Sequence, residues 1–321
     1  MSNIKLIEIT SDLGGRVPGS SLGADAVRIA SYKNINDKYF YSRFDNGLYT
    51  LINVSNKLYH IDPKYPKAKR IESLYPVNLQ ICDSVANSIL NNNFTIVISG
   101  DHSTAGGTIS GMKKAFPDRR LGVIWIDAHA DINNPYTSDS GNLHGMPLST
   151  AINNNNIECK FNEIDSETAD WWEKTKEIGG TKDKLKLTDL VYIAIRDCEQ
   201  AEHSLIKQNN VKVFRTFDVR QLGAKEVAMQ SIKYLDECDM LYVSFDVDSM
   251  DPSVSTGTGT PVENGLFSIE VKEILKTLTS FNKTLCLEFS EINPTLDTKN
   301  SMGEVVFDIL KAVCRVVDIR K

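Results

Sequence analysis

Leu121-Gly122-Val123-Ile124-Trp125-Ile126-Asp127-Ala128-His129-Ala130-Asp131-Ile132-Asn133 is the stretch from which the fold can be read. Its first half is apolar and rich in β-branched residues, the pattern of a strand covered on both faces of a parallel sheet. Its second half sets Asp127, His129 and Asp131 at alternate positions. Alternate side chains of an extended chain point the same way, so two carboxylates and an imidazole converge. At the end of a buried strand that much negative charge is tolerable only beside a cation. The alternative reading is a solvated acidic loop, and the rest of the chain argues against it.

Strand-like runs alternate with helical ones on either side of this stretch. Strands are expected at 4–9, 49–54, 94–98, 190–195, 211–214, 240–245 and 284–289. Helices are expected at 23–30, 77–90, 112–116, after Pro147, at 165–178, from 199 to 208 and from 299 to 317. That alternation indicates a parallel sheet with helices on both faces. No linker or repeat divides the chain, so one domain over residues 1–321 is expected. The stretch 34–75 has only weak periodicity, and His60 within it reads as a plain surface histidine. Trp171 and Trp172 read as packing residues.

Composition narrows the function. The chain has 321 residues, 41% hydrophobic and 24% charged, with a net charge of −6. An acidic chain without a basic stripe argues against nucleic-acid binding. No apolar run approaches the ~20 residues of a membrane span. The N-terminus carries no signal-peptide pattern. Six scattered cysteines without a CxxC pair read as reduced thiols, which points to the cytoplasm and away from thiolate-bound zinc.

Polar clusters stand at the ends of the expected strands: His102, then Asp127, His129 and Asp131, then Glu199, then Asp246 and Asp248, then Glu291. In open parallel sheets ligands bind outside the carboxyl ends of the strands, so these residues share one crevice. Of these, His102, Asp127, His129, Asp131, Asp246 and Asp248 give two imidazoles and four carboxylates, too many anions for one divalent ion and suited to two. Oxygen-rich ligation without thiolate favours manganese over zinc. Such a pair can hold a hydroxide between the ions as nucleophile.

The segments Ser-Gly-Asp-His-Ser (99–103), Asp-Ala-His-Ala-Asp-Ile-Asn (127–133), Ser-Gly-Asn-Leu-His-Gly (140–145), Ser-Phe-Asp-Val-Asp-Ser-Met-Asp-Pro (244–252), Thr-Gly-Thr-Pro (258–261) and Glu-Ile-Asn-Pro (291–294) resemble the ureohydrolase family. They occur in family order, and the arginase branch is the most similar. Gly-Gly-Arg-Val-Pro-Gly (14–19) also resembles an arginase entry loop. The resemblance implies a three-layer α/β/α sandwich with a mainly parallel eight-stranded sheet. It implies two Mn²⁺ per chain, one on His102, Asp127, Asp131 and Asp246, the other on His129, Asp127, Asp246 and Asp248. The reaction it implies is attack of the bridging hydroxide on the guanidinium of L-arginine, giving L-ornithine and urea. Glu291 would pair with the guanidinium and His144 would shuttle the proton to the leaving amine, with the ligand Asp131 beside them in the catalytic group. Thr260 would support the site through its hydroxyl. Asn133, Ser138, Ser140, Asn142 and Glu199 would hold the amino-acid end. A homo-oligomer, trimer or hexamer, is the family expectation.

Three positions depart from the family pattern: Ser99 replaces a glycine, Ser138 a threonine, and Glu199 an aspartate that takes the α-amino group. The competing readings are an agmatinase, guanidinobutyrase or formimidoylglutamase, and a non-catalytic metal-binding relative. A single-zinc deacetylase would need a tandem histidine pair, which the chain lacks.

Overall fold

The computed structural model describes residues 3–33 and 35–320. In chain order its elements are β1 (Ile4–Ile9), α1 (Gly23–Tyr32), β2 (Tyr49–Ile52), α2 (Ile71–Leu90), β3 (Phe94–Ile98), α3 (Ala105–Ala115), β4 (Leu121–Ile126), α4 (Ser166–Glu177) and β5 (Leu190–Ile193). There follow α5 (Gln200–Gln208), β6 (Lys212–Phe214), α6 (Thr216–Leu222), α7 (Ala224–Tyr234), β7 (Met240–Asp246), α8 (Ser268–Ser280), β8 (Thr284–Ser290) and α9 (Ser301–Asp318). The strands form one eight-stranded sheet in the order β2-β1-β3-β8-β7-β4-β5-β6, and every pairing is parallel. The expected α/β sandwich is what the chain forms.

Strand alternation splits the core into two layers. Ile124 and Ile126 of β4, with Val243 and Phe245 of β7, face α1, α7, α8 and α9. Val123, Trp125 and Tyr242 face α2, α3 and α5 on the other side. Each fully buried aliphatic side chain contributes roughly 1.5–3 kcal/mol. With both faces covered, the carboxyl edge of the sheet is where polar side chains can gather.

Some expected boundaries differ. Helix α2 begins at Ile71, six residues before the expected start, and carries Pro76 in its second turn. A proline so near a helix start removes a single backbone bond, so it does not mark the boundary. Only a short 3₁₀ turn, Leu148–Thr150, follows Pro147 where a helix is expected. There the Leu148 N–H bonds the Asp131 carbonyl and the Ser149 hydroxyl bonds the Ile132 carbonyl, tying the chain to the loop after β4. The stretches 216–234 and 268–280, to which the sequence reading assigns nothing, are helices α6 to α8. Among the described residues no helix is long and apolar enough to cross a membrane.

Trp172 is fully buried, with its indole N–H on Asn155, and Trp171 donates to Tyr65, so both pack as expected.

Candidate active site

The chain leaves β3, β4 and β7 at the same edge, and their exits build a carboxylate–imidazole cluster. His102 opens a 3₁₀ turn after β3, and Asp246 ends β7 with Asp248 in the turn beyond it. His102 Nδ1 lies 3.1 Å from Asp127, 3.0 Å from Asp131 and 3.0 Å from Asp246. His129 Nδ1 lies 3.0 Å from Asp248 and 3.5 Å from the other oxygen of Asp127. Two groups able to hold a metal ion result, His102–Asp127–Asp131 and Asp127–His129–Asp248. Asp127 belongs to both.

The donor set fits cations. His102 Nδ1 is buried and makes no hydrogen bond, although three carboxylate oxygens surround it. A lone pair aimed at a point shared with carboxylates is a metal-ligand arrangement, and a buried polar atom without a partner is otherwise costly. The opposite nitrogen, Nε2, is 2.7 Å from Ser244 Oγ, which fixes the ring. Trp125 stacks on that ring at 4.2 Å and donates its indole N–H to Asp127 at 3.0 Å. Thr260 donates to Asp248 at 3.0 Å and Ser290 to Asp246 at 3.3 Å. Asp127, Asp246 and Asp248 are thus each oriented by a neighbouring side chain and also accept a backbone N–H, from His129, Asp248 and Ala128 respectively.

Electrostatics follow from the crowding. Burial, and after it the charges of Asp248 and Asp127, hold the Asp246 carboxyl well above its ordinary range. Burial, with the Asp127 charge, pushes Asp131 up to about 6. A divalent cation among these groups removes the penalty they impose on each other.

Asp131 and Glu291 are both held at positive φ, 51° and 62°. Non-glycine residues in this region cost of order 1 kcal/mol or more and gather at functional sites. Glu291, after β8, accepts the His102 backbone N–H at 3.0 Å and contacts His144 Nδ1 at 3.2 Å through the same oxygen. Burial alone would raise the Glu291 carboxyl, but the His144 hydrogen bond and charge lower it; His144 is raised in return.

A cavity of about 840 Å³ opens over the cluster. Asn133, Ser138, Ser140, Asn142, His144, Glu199 and Thr260 line it with His129, Asp131, Asp246 and Asp248. Glu199 leads into α5, and burial with the nearby Asp139 charge raises its carboxyl. The hydroxyls of Ser138 and Ser140 accept from the backbone of Gly141 and Asn142, which shapes the loop. Every residue proposed from sequence for the substrate lines this cavity except Glu291, whose Oε1 contacts the lining residue His144.

Sequence reading missed the outer wall. Tyr59, His60, Ile61, Asp62, Pro63, Lys69 and Arg70 line the same cavity, all from the stretch with no clear pattern. His60 is exposed as expected, yet it stands on the cavity rim. Glu202 was missed as well. Its carboxyl accepts from the backbone N–H of Ile132 at 3.1 Å and Glu199 at 2.9 Å, so one side chain joins the β4 loop to the start of α5. An acidic residue three positions into a helix, able to bond back to the residue before it, was the available signal.

Comparison with known proteins adds a family. A sequence model described as "Arginase family" matches residues 2–314. An arginase of Bacillus caldovelox is 30% identical over 311 residues, 97% of each chain. An arginase of Staphylococcus aureus (strain COL) is 33% identical over 303 residues, 94% of this chain and 93% of the relative. Among solved structures, native Bacillus caldovelox arginase superposes with a TM-score of 0.80 at 29% identity, covering 100% and 99% of the two chains. Entamoeba histolytica arginase in complex with L-ornithine gives 0.82 at 25% identity, covering 98% and 99%.

Proposed function

The chain belongs to the arginase family of hydrolases, and on that premise we propose that it cleaves L-arginine to L-ornithine and urea with two Mn²⁺ ions. The observation that carries the reading is one cavity with a carboxylate–imidazole cluster in its lining and the polar side chains of Asn133, Ser138, Ser140, Asn142 and Glu199 on its wall. His102 and Asp131 would hold one ion, His129 and Asp248 the other, with Asp127 and Asp246 shared. When bound, the ions would supply an activated water and stabilise the negative charge of the transition state.

The chain's own residues do the rest. Glu291 would pair with the guanidinium, whose planar donors suit a carboxylate. His144 would give a proton to the departing amine, since its Nδ1 is engaged by Glu291 and Nε2 is left for the substrate. Asn133, Ser138, Ser140 and Asn142 would meet the α-carboxylate, and Glu199 the α-ammonium. The L-ornithine held by the Entamoeba histolytica arginase carries both of these groups, which supports a pocket for an amino acid.

The test is urea release from L-arginine and from agmatine, each with and without Mn²⁺. Manganese-dependent release favouring arginine is expected. Equal turnover of agmatine would remove the amino-acid pocket and favour another ureohydrolase reaction.

A further inference from the structure

We propose that Lys69 is the cationic partner of the substrate α-carboxylate, a specificity residue supplied by the outer wall of the cleft. The inference rests on the proposed amino-acid substrate. Lys69 lines the cavity together with Asn133, Ser138, Ser140 and Asn142. Its backbone N–H donates to the Gly141 carbonyl at 2.9 Å, between the two last-named donors in sequence. Gly141 has φ 72°, and a Cβ built there would fall 2.0 Å from the Pro66 carbonyl oxygen. Only glycine lets the two backbones approach so closely. Lys69 is therefore seated directly on the loop expected to hold the carboxylate.

The charge of Lys69 calls for an anion. The residue is half-buried, and burial, followed by repulsion from Arg70 and Lys67, disfavours its cationic form. Among the described residues no carboxylate pairs with it, whereas Lys64, Lys114 and Lys311 pair with Glu167, Asp83 and Asp37. The other cations of the cavity are placed differently. Arg70 donates Nε to the Leu13 carbonyl at 2.6 Å and lies over the Tyr59 ring, while Arg16 is exposed. A half-buried lysine seated on a loop that offers amide and hydroxyl donors is an anion-binding arrangement, and it stands in a cavity that Asp62 and Asp139 also line. With Glu199 in the same cavity to receive an ammonium, the cleft matches a zwitterion and not a simple amine.

The experiment compares the metal-loaded wild type with Lys69→Met and Lys69→Arg. Lys69→Met should lower kcat/KM for L-arginine about tenfold, the scale of a lost charged hydrogen bond, and Lys69→Arg should restore part of it. Agmatine has no carboxylate, so its turnover should change little and the preference for arginine should shrink. Binding of L-ornithine and of putrescine, followed by calorimetry, reads the same preference without turnover. If the wild type releases no urea from arginine, the proposed reaction fails, and Lys69 is judged on binding alone. Equal losses for arginine and agmatine, or an unchanged ornithine-to-putrescine ratio in Lys69→Met, overturn the assignment.

Discussion

His144 Nδ1 and the His102 backbone N–H meet the same oxygen of Glu291, at 3.2 Å and 3.0 Å. One carboxylate oxygen thus links the expected proton shuttle to the loop that carries an expected metal ligand.

The His144–Glu291 pair makes a pH-dependent contribution. Burial lowers the His144 imidazole, but the Glu291 bond and charge outweigh it and raise it; Glu291 is lowered by the same contact. A raised histidine stabilises fully below its unfolded value of about 6.5 and loses that contribution as pH rises through the folded value. A lowered carboxyl stabilises above about 4.3 and loses its part as pH falls through the folded value. Glu291→Gln should therefore lower the Tm most near pH 5–6, by the equivalent of about 1–3 kcal/mol. The gap to wild type should narrow toward alkaline pH. A gap that stays constant over that range would show that the pair is not ionised in the fold.

Asp127 reaches both metal-binding groups, one oxygen toward each histidine. Asp127→Ala should deplete both ions, while His102→Ala should deplete mainly one. Metal analysis after gel filtration reads this directly, and chelation followed by Mn²⁺ should restore activity in the wild type. A single tightly held ion in fully active protein would falsify the shared-ligand arrangement.

The outer wall also grips the entry loop. Tyr59 donates its hydroxyl to the Arg16 carbonyl at 2.5 Å and Arg70 holds Leu13, on either side of Gly14, whose carbonyl accepts the His144 N–H at 3.0 Å. Tyr59→Phe removes one grip without emptying any core. It should lower kcat roughly three- to tenfold, as loss of one hydrogen bond allows. In a His144→Ala background the same change should have little further effect, because both act through one group. Additive losses in the double variant would mean that Tyr59 acts elsewhere.

The metal-ligand candidates were legible from spacing after an apolar strand, although the chain there is not extended. Asp127 and His129 lie in bends past β4, Asp131 is at φ 51° and Asp248 is in a 3₁₀ turn, so His129 and Asp131 serve different groups. Asp127, His129 and Asp131 follow an apolar run at alternate positions, and Asp246 and Asp248 repeat the spacing. The outer wall was not legible, since residues 53–70 have no apolar period and include a 3₁₀ turn, Asn56–His60. Their role exists only through contacts with loops distant in sequence, such as Asn56 accepting the Asp12 N–H and Lys69 meeting Gly141. The start of α2 was misread because Pro76 looks like a boundary and lies within the helix. Sequence pattern reports what one segment does alone, and a cleft wall is a relation between segments.

The order of strands carries a consequence for how the molecule comes into being. β8 and β7, late in the chain, lie between β3 and β4, which precede them by more than a hundred residues. A nascent chain that has made β3 and β4 therefore still lacks the two strands that belong between them. His102 and Asp127 can take up their mutual placement only once residues 240–290 have entered the middle of the sheet. Pairings this distant in sequence are slow to form, since loop closure is costly before contacts offset it. Ion capture should accordingly be a late event in biogenesis, marking completion of the sheet and not seeding it.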